Sequence, residues 1–140
     1  MILFDTSILS RVFRRRHLGP QERQLHATFE ALMKSDASLG LPGIVLQEVL
    51  SGLASEKAFR DLRAKLLGAF TILPASVDDH LEAARLKNLC ISKGANVSGV
   101  DCLIAATAMA GGHELFAADE DFETIRRHAR LRLFGRRGVA

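Results

Sequence analysis

Residues 1 to 9 read Met1-Ile2-Leu3-Phe4-Asp5-Thr6-Ser7-Ile8-Leu9, and their order decides the fold. The apolar run makes a short buried strand, Asp5-Thr6-Ser7 can cap the turn that follows, and the chain then becomes helical. A strand that feeds directly into a helix is half of a βα unit. It leaves Asp5 at the strand's C-terminal end.

Working outward, the same alternation continues. From Gln21 to about Asp36, Leu25, Phe29, Leu32 and Met33 recur at helical spacing, so this segment is a helix with one buried face. Ser38-Leu39-Gly40-Leu41 reads as a second strand, and Pro42-Gly43 as a turn opening a helix from about Ile44 to Leu53. Ser55 to Phe70 is another amphipathic helix, and Thr71-Ile72-Leu73 a strand closed by Pro74. Ser76 can cap a helix with Asp78 and Asp79 in its first turn, and Gly94 stops it. Asp101 to Met109 is an alanine-rich helix, Glu114 to Ala118 a strand, Asp121 to His128 a short helix and Arg130 to Phe134 a last strand. The pattern predicts an α/β fold: a mostly parallel sheet of four to five short strands, covered on both faces by helices. In such folds binding sites lie at the C-terminal strand ends. Asp5 and Asp119 both fall there.

Composition sets the class. At 140 residues, 48% hydrophobic and 25% charged, the chain reads as a single globular domain spanning 1–140, with enough apolar mass to fold without staples. Cys90 and Cys102 lack metal-ligand spacing and read as small buried hydrophobes in a reducing, cytoplasmic setting. No stretch approaches the length of a membrane span. The net charge is only +3, but Arg14, Arg15 and Arg16 cluster early and further arginines crowd the C-terminal end. Such clusters suit a polyanion.

Four carboxylates stand at element boundaries or inside apolar stretches: Asp5, Glu48 in Ile-Val-Leu-Gln-Glu-Val-Leu, Asp101 in Ser-Gly-Val-Asp-Cys-Leu-Ile, and Asp119 after Leu-Phe-Ala-Ala. No Lys or Arg adjoins any of them. Ionised carboxylates near a low-dielectric interior need compensation, and all-oxygen ligation selects a hard cation such as Mg2+ or Mn2+. The five histidines show no paired spacing, so zinc is not indicated, and Gly-x-Gly-x-x-Gly, P-loop and Gly-x-Ser-x-Gly motifs are absent. Carboxylates around magnesium, flanked by arginines, suit phosphodiester hydrolysis.

The residues that carry these features resemble the PIN-domain family, most closely the VapC-type toxins of toxin–antitoxin pairs. The similarity runs through four blocks in order: Ile-Leu-Phe-Asp-Thr-Ser-Ile-Leu, Gln-Glu-Val-Leu-Ser-Gly-Leu, Val-Asp-Cys-Leu-Ile-Ala-Ala-Thr-Ala and Ala-Asp-Glu-Asp-Phe. The resemblance implies a three-layer α/β/α sandwich and a ribonuclease dependent on Mg2+ or Mn2+. It also implies a small VapB-like antitoxin that lies over the site, and a homodimer. Carried over, Asp5, Asp101 and Asp119 gather the metal. Glu48 completes the pocket and orients or deprotonates the attacking water, and Thr6 or Ser7 supplies a nearby hydroxyl. Asp121 is an alternative ligand to Asp119, although Asp121-Phe122 reads as a cap and anchor for the next helix. Arg14, Arg15 and Arg16 are candidate RNA contacts. Family members often carry Pro before the third aspartate and Thr or Ser before the last acidic block, where this chain has Gly99-Val100 and Ala117-Ala118. Neither departure removes a carboxylate.

Two other readings compete. A catalytically silent PIN-like module would bind RNA or protein without turnover. A phosphatase of the haloacid dehalogenase type also begins with a strand ending in Asp, but it needs a second Asp where this chain has Ser7.

Overall fold

In the computed structural model, which describes residues 1–13 and 19–135, five short strands form one parallel sheet. They are β1 (Ile2–Phe4), β2 (Leu39–Pro42), β3 (Thr71–Leu73), β4 (Glu114–Phe116) and β5 (Arg132–Leu133), ordered β3-β2-β1-β4-β5. All four pairings are parallel. Helices α1 (Thr6–Val12), α2 (Pro20–Lys34), α3 (Gly43–Leu50) and α4 (Glu56–Ala69) fill the first two crossovers. Helices α5 (Val77–Ser92), α6 (Gly99–Ala110) and α7 (Glu120–His128) fill the others. The chain winds one way from β1 to β3 and the other way from β4 to β5. Right-handed crossovers therefore put the two helix groups on opposite faces of the sheet, and each group packs within itself. This is the three-layer sandwich.

Two local features fix the register. Gly40 lies against β1, where a Cβ would come within 2.6 Å of Met1 Sδ and 2.8 Å of Leu3 Cδ2. A side chain at this position would displace those of Met1 and Leu3, so glycine suits the close approach of β2. Pro42-Gly43 is not a turn: Pro42 still pairs with Leu73 in the ladder and is at once the N-cap of α3. Its fixed φ suits a strand end followed by a helix start.

Several element ends differ from the pattern-based expectation. Helix α3 stops at Leu50 rather than Leu53, because Gly52 takes a φ of +81° and turns the chain away. Strand β4 ends at Phe116, not Ala118, and β5 is reduced to Arg132–Leu133. Helix α2 ends at Lys34, two residues before Asp36. Helix α6 begins at Gly99 under a Ser98 cap, so Asp101 is inside its first turn and not its first residue.

The core closes around Phe4. Its ring is fully buried and meets Phe29, Phe70 and Phe116 edge-on at centroid distances of 5.9, 5.1 and 5.3 Å. One β1 residue thus ties together α2, the end of α4 and β4, just ahead of Asp5. On the other face, Leu86, Cys90, Cys102 and Ile104 are buried where α5 packs on α6. Cys102 sits in surroundings that push its thiol up to about 11, first through burial. Both thiols are therefore inert packing groups. Phe4→Ala is expected to destabilise the fold by about 3–5 kcal/mol in urea unfolding, as for other buried aromatic deletions. A loss below about 1 kcal/mol would show that the ring cluster does not hold the central strand.

Candidate active site

Strands β1 and β4 are neighbours whose connections leave in opposite directions, the kind of switch point at whose C-terminal strand ends parallel α/β folds place their sites. Asp5 follows β1 directly. Its N–H continues the ladder to Phe116 O at 2.9 Å, and its side chain caps α1. The Oδ2 atom accepts from Ser7 N at 3.1 Å and Ser7 Oγ at 2.5 Å. Ser7 Oγ in turn accepts from Ala118 N at 2.9 Å. The Ser7 hydroxyl therefore laces the turn after β1 to the loop after β4, which are 111 residues apart in sequence. Asp5 is only 4% exposed. Burial raises its pKa, against the lowering effect of its Ser7 and Thr6 hydrogen bonds, and Asp119 adds to the rise.

The loop after β4 supplies two more carboxylates. Asp119 is the N-cap of α7, with Oδ1 accepting from Asp121 N at 2.9 Å. The capping role thus falls to Asp119 and not to Asp121, because α7 begins one residue earlier than the apolar pattern suggests. Asp121 reaches sideways instead: its Oδ2 accepts from Ser98 N at 3.1 Å. Ser98 caps α6 through Oγ, which accepts from Asp101 N at 3.0 Å. From the far side, the Lys87 ammonium donates to Val97 O and to Asn96 Oδ1 and clamps the same loop.

These bonds bring Asp101, Asp119 and Asp121 together, with one oxygen of each lying within 4.8 Å of the others. The Asp101 carboxyl is pushed up to about 7, first by burial, then by its hydrogen bond with Asp121, then by the charges of Asp119, Asp5 and Asp121. Carboxylates crowded in this way are what a cation would relieve. The donor set is all oxygen and its spacing leaves room for one small ion and water, so the residues fit Mg2+ or Mn2+.

Of the residues singled out from sequence, Asp101, Asp119 and Asp121 converge tightly, and Asp5 stands buried beside them as their electrostatic neighbour. Glu48 is outside that group. It is exposed on α3 and accepts a hydrogen bond from Thr6 Oγ1 at 3.1 Å, which places it on the rim next to Asp5. Arg14, Arg15 and Arg16 lie outside the described residues. Ser98 and Lys87 escaped the sequence reading. The Ser98-x-x-Asp101 spacing was the available signal, since Ser followed three residues later by an acid marks a helix start; nothing in the sequence points to Lys87.

A family model described as "PIN domain" matches residues 2–128. The chain belongs to the PIN-domain family. Among solved structures, the PIN chain is similar to one in the FitAcB structure from Neisseria gonorrhoeae, with 23% identity, a TM-score of 0.75, and coverage of 96% of this chain and 97% of that one. It is similar to one in VapBC2 from Rickettsia felis, bound to a promoter DNA fragment, at 20% identity, TM-score 0.72, and coverage of 95% and 97%. It also resembles VapC20 of Mycobacterium tuberculosis, a toxin cleaving the sarcin-ricin loop, at 17% identity, TM-score 0.68, and coverage of 88% and 93%. At these identities the structures speak for the fold, and the family match speaks for membership of the PIN-domain family.

The raised Asp101 pKa has a definite sign for stability. Between the ordinary carboxyl value of 3.8 and about 7, the folded protein keeps a proton that the unfolded chain has released. Stability of the metal-free protein therefore falls as pH rises through that window. Asp101→Asn is expected to remove much of the fall, so its stability advantage over the wild type should widen from pH 5 to pH 8 in denaturant unfolding. A difference that stays constant with pH would contradict the crowding.

Proposed function

We propose that this PIN protein is a metal-dependent endoribonuclease, the toxin of a toxin–antitoxin pair. The observation that carries the reading is the convergence of Asp101, Asp119 and Asp121 within 4.8 Å, beside buried Asp5, at the C-terminal edge of the sheet. Asp101 and Asp119, with Asp5 or Asp121 completing the set, would hold Mg2+ or Mn2+. Bound there, the ion supplies an activated water and offsets the charge of the scissile phosphate.

The chain's own residues do the rest. Ser7 holds Asp5 with both of its donors and so fixes the carboxylate at the end of β1. Asp121 fixes the start of α6 through Ser98 and so places Asp101. Glu48, held by Thr6, stands on the rim, where it orients or deprotonates the attacking water in line with the leaving oxygen. Hydrolysis then leaves 5′-phosphate and 3′-hydroxyl ends.

The substrate is RNA. With no Trp or Tyr in the chain, and with Phe4, Phe29, Phe70, Phe116 and Phe122 buried, aromatic stacking on bases is sparse. Binding then rests on phosphate contacts, for which Arg14, Arg15 and Arg16 are the candidates. A VapB-like antitoxin and a second copy of the chain are its partners, and the cytoplasm is where it acts. Among the described residues no helix is long and apolar enough to cross a membrane. Val77, Leu81 and Ile91 stand exposed on α5 and offer apolar surface to such partners.

The test is cleavage of total cellular RNA by the purified protein with Mg2+, Mn2+ or EDTA. Discrete fragments should form only with metal, and Asp5→Asn or Asp101→Asn should reduce the rate by about two to four orders of magnitude or more. RNA that is bound but never cut would mean a silent binding module instead. Replacing Arg14, Arg15 and Arg16 together with Ser should weaken RNA binding and flatten its dependence on salt concentration by up to about three units of log–log slope. An unchanged slope would remove these arginines from the interface.

A further inference from the structure

A second recess lies along the same edge of the sheet. Its walls include Ile44, Leu73 and Leu103, and Gln47, His80 and Thr107 place polar groups on it. It opens where β2 and β3 end, at the paired residues Pro42 and Leu73, whereas the acidic group follows β1 and β4. In the strand order β3-β2-β1-β4 these are adjacent pairs. At about 4.8 Å between strands, the two sites are separated by about 10 Å.

Two helices join them. On α3, Gln47 lines the recess while the next residue, Glu48, turns about 100° around the helix to Thr6 at the acidic rim. On α6, Asp101 belongs to the acidic group, and Leu103 and Thr107 line the recess further along.

The lining defines the occupant's chemistry. Its volume is about 200 Å³, the share of roughly seven water molecules at about 30 Å³ each. That suits one planar heterocycle, with sugar and phosphate left outside. Apolar walls cover flat faces. The Gln47 amide offers a donor beside an acceptor, and Thr107 Oγ1, whose proton goes to Leu103 O at 3.0 Å, presents acceptor lone pairs. Among the described residues no carboxylate lines the recess, so its lining favours a neutral ring over a basic side chain.

Resting on the ribonuclease reading, we propose that this recess binds a single nucleobase of the substrate RNA, close in the chain to the scissile phosphate, and so sets a base preference beside the cut. Phosphate contacts position an RNA without reading it, and a base held in a lined pocket reads it.

The test has two arms. In the first, the four nucleoside 5′-monophosphates are titrated into metal-free Asp101→Asn protein and followed by NMR. Saturable shifts at Gln47, His80 and Leu103 that favour one base are expected, and are lost in Leu103→Trp, which fills the recess, and in Gln47→Ala, which empties it. In the second, fragment ends from wild-type cleavage are sequenced. One fixed position near the cut should show a base preference that Gln47→Ala relaxes by about tenfold. Metal-dependent cleavage with no base preference, and no shifts at these residues, would overturn the proposal while leaving the nuclease standing. Shifts produced by an antitoxin peptide and by no nucleotide would overturn it in favour of a protein contact. Base-selective shifts without any RNA cleavage would support the recess while sinking the nuclease reading.

Discussion

Negative charge crowded at one end of a parallel sheet, with burial opposing its ionisation, is the constraint on which the rest of this structure depends. Asp101, Asp119 and Asp121 approach within 4.8 Å, and Asp5 is almost wholly buried beside them. Left alone, such a group would push its loops apart. Among the described residues, neutral donors hold it: Ser7 on Asp5, the Asp121 N–H on Asp119, and the Ser98 N–H on Asp121. Helix starts do much of this work. Asp5 and Asp119 cap α1 and α7, and Asp101 lies in the first turn of α6, where free N–H groups and the macrodipole favour negative charge.

The sheet makes the convergence possible. Because β1 and β4 are neighbours in parallel register, with Phe4 opposite Phe116, the residues that follow them emerge side by side. The Phe4 ring cluster beneath keeps the two strand ends level, and Ser7 bridges them directly. From the other side, Lys87 and Asp121 grip the segment before α6. Stability and site geometry thus share the same few contacts. Burial and the neighbouring acids together push the Asp101 carboxyl up, so ionising it works against the fold.

Much of this was legible in the sequence, for physical reasons. Met1 to Leu9 shows a strand passing into a helix, because four apolar residues followed by Asp-Thr-Ser leave few alternatives. The amphipathic helices follow from three- and four-residue spacing, four of the strands correspond to short, mainly apolar stretches, and β5 to the Arg-Leu alternation of Arg130 to Leu133. Element ends were less legible. The apolar pattern continues past Leu50 in α3, and a positive φ at Gly52, which is a tertiary outcome, stops it. For Asp119 and Asp121 the pattern marks a helix start, but which acid caps it depends on backbone geometry one residue away. Asp121 binding Ser98 is a contact between residues 23 apart, invisible to local spacing. The Lys87 clamp and the recess beside α3 likewise exist only once the helices are packed.

Metal-linked stability tests most directly the proposal that the acidic group holds a divalent cation. Thermal unfolding of the wild type and of Asp101→Asn should be followed while Mn2+ or Mg2+ is added to metal-free protein. A ligand that binds only the folded state raises the unfolding temperature, and by more the tighter it binds at a given concentration. The expected result is a reversal at pH 8: without metal Asp101→Asn is the more stable protein, and with metal the wild type gains the larger shift and overtakes it. Equal shifts in the two proteins, or none in either, would contradict the account.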